Sequence, residues 1–117
     1  MTAYAIAHLR PGDPHDDIVT YMETIQATME PFGGRFAVHG ATHRTLEGNW
    51  PGAVVVVAFP DMGRAAAWYE SDAYQEILPL RTRHMDGDVI LVEGVPDGYD
   101  AQVTASATRS RMLARRV

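Results

Sequence analysis

The feature that most constrains the fold is the run AVVVVAF at residues 53–59, which is apolar at every position. A strand with one face in water alternates apolar and polar residues, whereas a strand covered on both faces does not have to. The run therefore predicts a central strand of a sheet, packed on both sides. The other elements of the chain have to be arranged around it.

Two different periodicities predict a strand and a helix in the N-terminal third. Residues 3–10 alternate, so that Tyr4 and His8 point to one face and the alanines between them point to the other. Asp13 is the predicted N-cap of the following helix, with Pro14 in its first turn. The apolar residues of this amphipathic helix recur at three- and four-residue spacing: Ile18, Met22, Ile25 and Met29.

The remainder of the chain supplies two further strands and a second helix. Residues 35–48 are predicted as strand two, with Gly40 as the candidate position of a bulge. Asp61 is the predicted cap of the second helix, which is expected to restart at Ser71 and Asp72 after a break. Pro79 is expected to kink or divide it again. Residues 86–94 read as a turn followed by strand four.

The order strand–helix–strand–strand–helix–strand predicts an α+β, ferredoxin-like βαββαβ domain in residues 1–96. Right-handed crossovers place both helices on one face of a four-stranded antiparallel sheet. The other face would be apolar and uncovered, which favours a homodimer that buries it. Residues 97–117 are rich in Ala, Ser, Thr and Arg, and we expect a C-terminal arm that is flexible or packs on the partner subunit.

Composition excludes several classes of protein. The chain has no cysteine, which excludes disulfides, zinc–thiolate sites and thiol chemistry. Its formal net charge is −5. An acidic body argues against a general nucleic-acid binder, because such a protein needs a basic face. No apolar stretch approaches the roughly 20 residues of a membrane span. The N-terminus lacks the pattern of a signal peptide, so we expect a soluble, cytoplasmic protein.

A set of short segments resembles the DUF1330 family. They are AYAIAH, GGRF, LEGNW, VVVVAFP, AAAWYESDAYQ and VILVEG, spread over residues 3–94. The resemblance implies a dimeric α/β barrel, in which two ferredoxin-like subunits join their sheets. Relatives in that superfamily include cofactor-free monooxygenases, lactone isomerases, haem-handling proteins and ligand binders, so no single activity is implied. This chain departs from the family pattern at His39, where arginine is usual.

Histidines and aromatic residues are the candidates for chemistry. His8, His39 and Tyr69 are predicted to transfer protons in a cavity between the sheet and the helices. The residues predicted to bind a substrate there are Tyr4, Arg35, His43, Trp50, Trp68, Tyr74 and Arg81. A tryptophan N–H or an arginine would stabilise the enolate or phenolate that forms.

Ordinary structural roles compete with these interpretations. The aromatic residues suit a small core, and His8 and His39 suit a solvated surface or a subunit interface. Arg35 and Arg81 are expected to pair with acidic neighbours such as Glu47 or Glu76 more often than with a ligand. His39 and His43 would lie roughly 13 Å apart on an extended strand, too far for one metal ion, and we expect neither a metal nor a cofactor.

The function predicted from the sequence is a small homodimeric enzyme acting on an aromatic or polyketide-like small molecule. The chemistry would be cofactor-free acid–base catalysis leading to isomerisation, cyclisation or oxygenation. The alternative is a non-catalytic small-molecule-binding or accessory protein of the same fold.

Overall fold

The computed structural model describes residues 1–116. Its elements, in chain order, are β1 (Ala3–Pro11), α1 (Asp16–Met29), a 3-10 helix (Glu30–Phe32), β2 (Arg35–His39), β3 (Ala53–Phe59), α2 (Met62–Glu70), α3 (Asp72–Thr82), β4 (Met85–Glu93) and α4 (Ala101–Arg115). The order predicted from the sequence is confirmed, with the second helix divided into α2 and α3. No described helix is long and apolar enough to cross a membrane.

The four strands form one antiparallel sheet in the order β2-β3-β1-β4. β3 is a central strand, as its uninterrupted apolar run predicts. Helices α1, α2 and α3 pack on one face of this sheet, and the hydrophobic core lies between the two layers. The largest fully buried side chains are those of Met29 from α1 and Phe59 from β3. The fold is therefore the predicted α+β, ferredoxin-like domain.

The start of α1 differs from the prediction. Its N-cap is His15, whose Nδ1 accepts a hydrogen bond from the Asp17 N–H at 3.0 Å. Asp13 as the cap and Pro14 in the first turn are therefore wrong by two residues. His15 replaces Asp13 because its ring also stacks on that of His84, with centroids 3.8 Å apart, which fixes it at the helix end.

Ser71 separates α2 from α3. Its Oγ donates to the Trp68 carbonyl at 2.7 Å and accepts from the Tyr74 N–H at 3.3 Å, so one side chain ends one helix and begins the next. Asp61 caps α2, as predicted: its Oδ1 accepts a hydrogen bond from the Arg64 N–H at 2.8 Å. The expected break at Pro79 is wrong, because α3 continues through it and stays anchored by buried side chains on both sides.

Strand two is shorter than predicted, and its bulge lies elsewhere. β2 ends at His39, and residues 40–52 form no helix or strand. Phe36 pairs with Val57 while Val38 pairs with Val56, which leaves Ala37 as the extra residue in place of the predicted Gly40. Because one extra residue reverses the alternation, Phe36 and His39 point to the same face, toward the helices.

The opposite face of the sheet is here called the open sheet face. Helices α1, α2 and α3 all pack on the other side, and no helix within residues 1–116 covers this one. Apolar side chains occupy its centre: Ile6, Val38, Val56, Ile90 and Val92. Ile90 is 57% exposed. The C-terminal arm forms the helix α4, which is capped by Asp100 and exposed along its whole length. The predicted apolar, uncovered face is therefore present in the part of the chain described.

Candidate ligand cavity

A cavity of about 290 Å³ lies between the sheet and helices α1 and α3. Its floor is formed by β1 and β3, and the small side chains of Ala5 and Ala7 leave room above β1. Most of the wall is apolar. Small-molecule sites usually occupy roughly 300–1,000 Å³ with an apolar lining and a few polar groups, so this cavity is of the right kind and at the small end of the range.

A pair of tyrosine hydroxyls forms part of the inner wall. The hydroxyls of Tyr21 on α1 and Tyr74 on α3 lie 2.8 Å apart and hydrogen-bond to each other. Burial raises the pKa of Tyr21 well above its usual range, and the neighbouring Tyr74 raises it further. The Tyr21 hydroxyl thus stays protonated at neutral pH. Tyr21 was not predicted as a site residue, although its four-residue spacing from the inner-side Ile25 would have identified it.

Arg81 brings a positive charge to the same cavity. The residue is only 5% exposed, and its Cζ lies 5.6 Å from the centre of the Tyr21 ring. Burial lowers the pKa of Arg81, but the Tyr21 and Tyr74 hydroxyls raise it more, so the net shift is upward and the group stays charged. No ion pair within residues 1–116 involves Arg81.

The expected pairing of the arginines with Glu47 or Glu76 is wrong. Both glutamates are exposed, whereas Arg81 lies on the side of α3 that faces the sheet. Arg35 is itself exposed, and it too forms no ion pair in the described part of the chain.

Trp68 contributes an apolar wall. Its ring is 3% exposed and packs against Tyr74 with centroids 4.3 Å apart. Its Nε1–H donates to Thr28 Oγ1 at 3.0 Å. That N–H is therefore committed to a protein partner, which corrects the expectation that a tryptophan N–H would stabilise an enolate in the cavity.

His39 stands at the mouth of the cavity. It reaches this position because the bulge at Ala37 turns it toward the helices. Its ring stacks on Phe36 with centroids 4.2 Å apart and an angle of 8° between the planes, while remaining exposed to solvent. His39 therefore both lines the cavity and is exposed to solvent.

Four of the other predicted site residues lie on the open sheet face. Tyr4 and His8 alternate away from the buried alanines of β1, and Arg35 pairs with Ala58 on the same side. Trp50 also lies on this side, because its ring stacks on His8 with centroids 4.2 Å apart. His8 Nε2 is buried there without a hydrogen-bond partner among the described residues. None of these side chains lines the cavity.

Tyr69 and His43 are also outside the cavity lining. Tyr69 is half-buried on α2 and packs edge-on against Trp68, with centroids 6.1 Å apart. His43 lies in the exposed connection between β2 and β3. Of the ten residues predicted for the site, the structure thus brings four to one cavity: His39, Trp68, Tyr74 and Arg81.

A second cluster of polar side chains links α1 to the beginning of β4. His84 Nε2 and Asp17 Oδ2 are 2.8 Å apart, and His15 Nδ1 lies 3.5 Å from the same oxygen. These three could each offer a ligand atom to a metal ion. The two imidazole rings are nearly parallel, however, at 16°. Their in-plane lone pairs cannot converge on one ion without rotation, so the observed geometry suits a hydrogen-bonded clasp.

The family comparison gives one match that covers most of the chain. A family model described as "Domain of unknown function (DUF1330)" matches residues 2–95. No curated protein matches the chain.

Solved structures with a similar fold were found at low sequence identity. The RPA0582 protein of unknown function from Rhodopseudomonas palustris is 16% identical with a TM-score of 0.64, over 81% of this chain and 83% of that one. SnoaB, a cofactor-independent oxygenase from Streptomyces nogalater, is 8% identical with a TM-score of 0.58, over 85% and 98%. A dimeric ferredoxin-like protein of unknown function from Jannaschia sp. CCS1 is 12% identical with a TM-score of 0.56, over 80% and 100%. At such identities the likeness shows the fold alone.

Proposed function

This chain belongs to the DUF1330 family, and from that premise we propose that it is a small enzyme using acid–base chemistry without a cofactor. Its substrate is an aromatic or polyketide-like molecule bound in the cavity between sheet and helices. The observation that carries this proposal is the arrangement of the cavity itself. His39, a proton acceptor, stands at its mouth, and buried donors from Tyr21, Tyr74 and Arg81 line its inner wall.

The chemical step begins with proton removal. His39 takes a proton from an acidic carbon or a hydroxyl of the substrate and leaves an enolate or phenolate, whose oxygen needs hydrogen-bond donors. The Trp68 N–H is occupied by Thr28, so these donors are the tyrosine pair and Arg81. Return of the proton to another atom gives isomerisation, and attack on a carbonyl of the same molecule gives cyclisation. Reaction of the anion with dissolved oxygen would give oxygenation.

We further propose that the working protein is a homodimer. The open sheet face is apolar at its centre and its Ile90 is 57% exposed, which is unusual for a surface that stays in water. A two-fold dimer covers the same patch on both subunits. The dimeric ferredoxin-like protein from Jannaschia has a similar fold, which supports this arrangement.

A second candidate is a binding protein that does not catalyse a reaction. Catalytic histidines are commonly oriented by a hydrogen bond from the second ring nitrogen to a carboxylate or carbonyl. Among residues 1–116, the His39 ring has no such bond and is held by stacking on Phe36. A protein that only stores or senses a ligand needs the cavity but not an oriented base.

Hydrogen exchange into a carbon acid separates the two candidates. The probe is 2-tetralone, a bicyclic ketone with acidic protons next to its carbonyl, incubated in heavy water with the protein and followed by proton NMR. For an enzyme we expect the wild-type protein to accelerate loss of the α-proton signals, with general-base help on the order of 10²–10⁴-fold. His39→Gln should remove this acceleration while the affinity for the ketone stays within a few-fold.

His43→Gln is the matched control, because His43 is exposed and lies outside the cavity. Binding of the ketone without accelerated exchange would favour the binding protein. Acceleration that survives in His39→Gln would show that another group is the base.

A further inference from the structure

Within residues 1–116, the buried guanidinium of Arg81 forms no ion pair with a carboxylate. Arginine stays protonated in proteins, and moving such a charge out of water costs several kcal/mol unless a partner compensates. Its compensation among the described residues comes from neutral groups: the face of the Tyr21 ring, 5.6 Å from Cζ, and the neighbouring hydroxyls of Tyr21 and Tyr74. Such contacts recover only part of that cost, because none of these groups carries a negative charge.

The tyrosine pair beside Arg81 adds donor capacity. In the Tyr21–Tyr74 hydrogen bond one hydroxyl donates, so the hydrogen of the other remains available to a further acceptor. Because burial raises the pKa of Tyr21, that hydroxyl does not ionise to become the missing counter-ion. This corner of the cavity therefore offers a full positive charge and one hydroxyl hydrogen to a ligand.

Position in the sheet separates this corner from the proposed base. The guanidinium lies beside β4, since a methyl group at Gly87 would come within 3.5 Å of Arg81 Nη1. His39 belongs to β2, at the other edge of the sheet. Three strand spacings separate the two edges, about 14 Å. A ligand that meets both groups is therefore elongated, with its anionic end at Arg81 and its reacting end toward His39.

We infer that the natural ligand is an elongated aromatic carboxylic acid, whose carboxylate pairs with the Arg81 guanidinium and accepts a hydrogen bond from the Tyr21–Tyr74 pair. The planar fork of arginine matches a carboxylate through two parallel hydrogen bonds. The rest of the cavity is apolar and, at about 290 Å³, suits a skeleton of one or two rings. This inference rests on the proposed function only in taking the cavity as the ligand site.

The test compares three ligands with the same bicyclic skeleton by titration calorimetry at neutral pH. They are 2-naphthoate, which is anionic, 2-naphthamide, which is neutral and of the same shape, and 2-naphthol, a neutral phenol. We expect wild-type protein to bind the naphthoate about 10- to 100-fold more tightly than either neutral ligand, as a charge-assisted pair predicts. Arg81→Gln should abolish this preference by weakening naphthoate alone.

Arg83→Gln is the matched control, because Arg83 is exposed two residues further along and should leave all three affinities unchanged. Arg81→Lys keeps the charge but loses the fork, so we expect it to retain part of the preference. If Arg81→Gln fails to fold, as seen by circular dichroism, the preference of the wild-type protein and of Arg81→Lys decides the question.

Two failures can be told apart. Equal binding of naphthoate and naphthamide to wild-type protein would overturn the carboxylate inference and leave the cavity as a ligand site. Equal binding of naphthoate and naphthol would likewise overturn it, in favour of a phenol. If none of the three ligands binds, the cavity is not a site for aromatic molecules, and both this inference and the proposed function are wrong.

Discussion

At the scale of single residues, the tyrosine pair illustrates how a polar contact is built inside an apolar cavity. Tyr21 and Tyr74 are 53 positions apart in the chain, yet their hydroxyls lie 2.8 Å apart with both rings buried. A buried hydroxyl without a partner costs free energy, so each group depends on the other. The pair therefore couples α1 to α3 as well as lining the cavity.

The two hydroxyls should contribute non-additively to the free energy of unfolding. We expect Tyr21→Phe and Tyr74→Phe each to lower the free energy of unfolding by about 1–2 kcal/mol, because each strands the remaining hydroxyl. The double variant should lose less than the sum of the two, since no buried hydroxyl is then left unpaired. Urea denaturation of the four proteins measures this coupling.

Tyr69→Phe provides the control for the tyrosine pair, because no hydrogen bond of its hydroxyl is found in the described chain. It should change the free energy of unfolding by no more than about 0.5 kcal/mol. Strictly additive losses in the double variant would mean that the two hydroxyls do not depend on each other.

Residue types alone predicted part of the cavity. Trp68, Tyr74 and Arg81 follow from reading one helical region as the inner layer, and they do line the cavity. The sequence did not predict which group accepts the Trp68 N–H, or that Arg81 forms no ion pair within residues 1–116. Thr28 lies 40 positions from Trp68, so its role as acceptor depends on how α1 and α2 pack and leaves no mark in local sequence.

At the scale of elements, the clasp formed by His15, Asp17 and His84 ties the first turn of α1 to the end of α3 and the beginning of β4. The hydrogen bond with His84 is the main reason that the pKa of Asp17 lies below its ordinary value of 3.8, although partial desolvation opposes it. A carboxylate with a lowered pKa in the folded state stabilises that state only while it is ionised.

The lowered pKa of Asp17 determines how the stability of the fold changes with pH. Asp17 contributes stability in full above its unfolded pKa and loses that contribution as the pH falls through the lower folded pKa. We therefore expect Asp17→Asn to lower the melting temperature at neutral and mildly acidic pH. The difference from wild type should shrink as the pH is taken below about 4. Thermal unfolding by circular dichroism at a series of pH values measures it.

Asp16→Asn separates the clasp from the helix dipole, because Asp16 is also in the first turn but does not contact His84. Its effect on the melting temperature should be the smaller of the two. An equal effect of both variants would assign the stabilisation to the position in the helix and not to the clasp.

Elements were predicted best where the signal is local. The apolar run of β3, the Asp61 cap and the Ser71 break each depend on neighbouring residues, and all three were found. The cap at His15 and the bulge at Ala37 depend on partners distant in sequence, His84 and β3 respectively. Local patterns therefore placed both of these features wrongly.

At the scale of the whole molecule, the open sheet face is the surface on which the proposed homodimer depends. Stable interfaces commonly bury about 800 Å² on each partner with an apolar centre, which is the kind of surface that β1, β3 and β4 present here. α4 is exposed throughout and does not provide an internal cover. The single chain therefore has an incomplete surface that a second copy would complete.

A charge in the centre of this face should separate the subunits without unfolding them. We expect Ile90→Lys to convert the dimer to a monomer, because Ile90 is 57% exposed in the single chain but its charged replacement would be buried at the contact. Size-exclusion chromatography with light scattering at micromolar concentration reports the mass. Val103→Lys, at a 67% exposed position on α4, should leave the mass unchanged. A wild-type protein that elutes as a single chain would contradict the dimer.

The extra residue in β2 has a consequence for how such proteins diversify. With Ala37 bulged out of the ladder, His39 pairs with Val55 and faces the cavity; if Ala37 took a regular ladder position, the same histidine would pair opposite Val54 and point to the open sheet face. Gain or loss of the bulge, with the sequence unchanged, would thus transfer an ionisable ring from one face of the sheet to the other. In this architecture, a one-residue change of register in an edge strand can change chemistry as decisively as a substitution does.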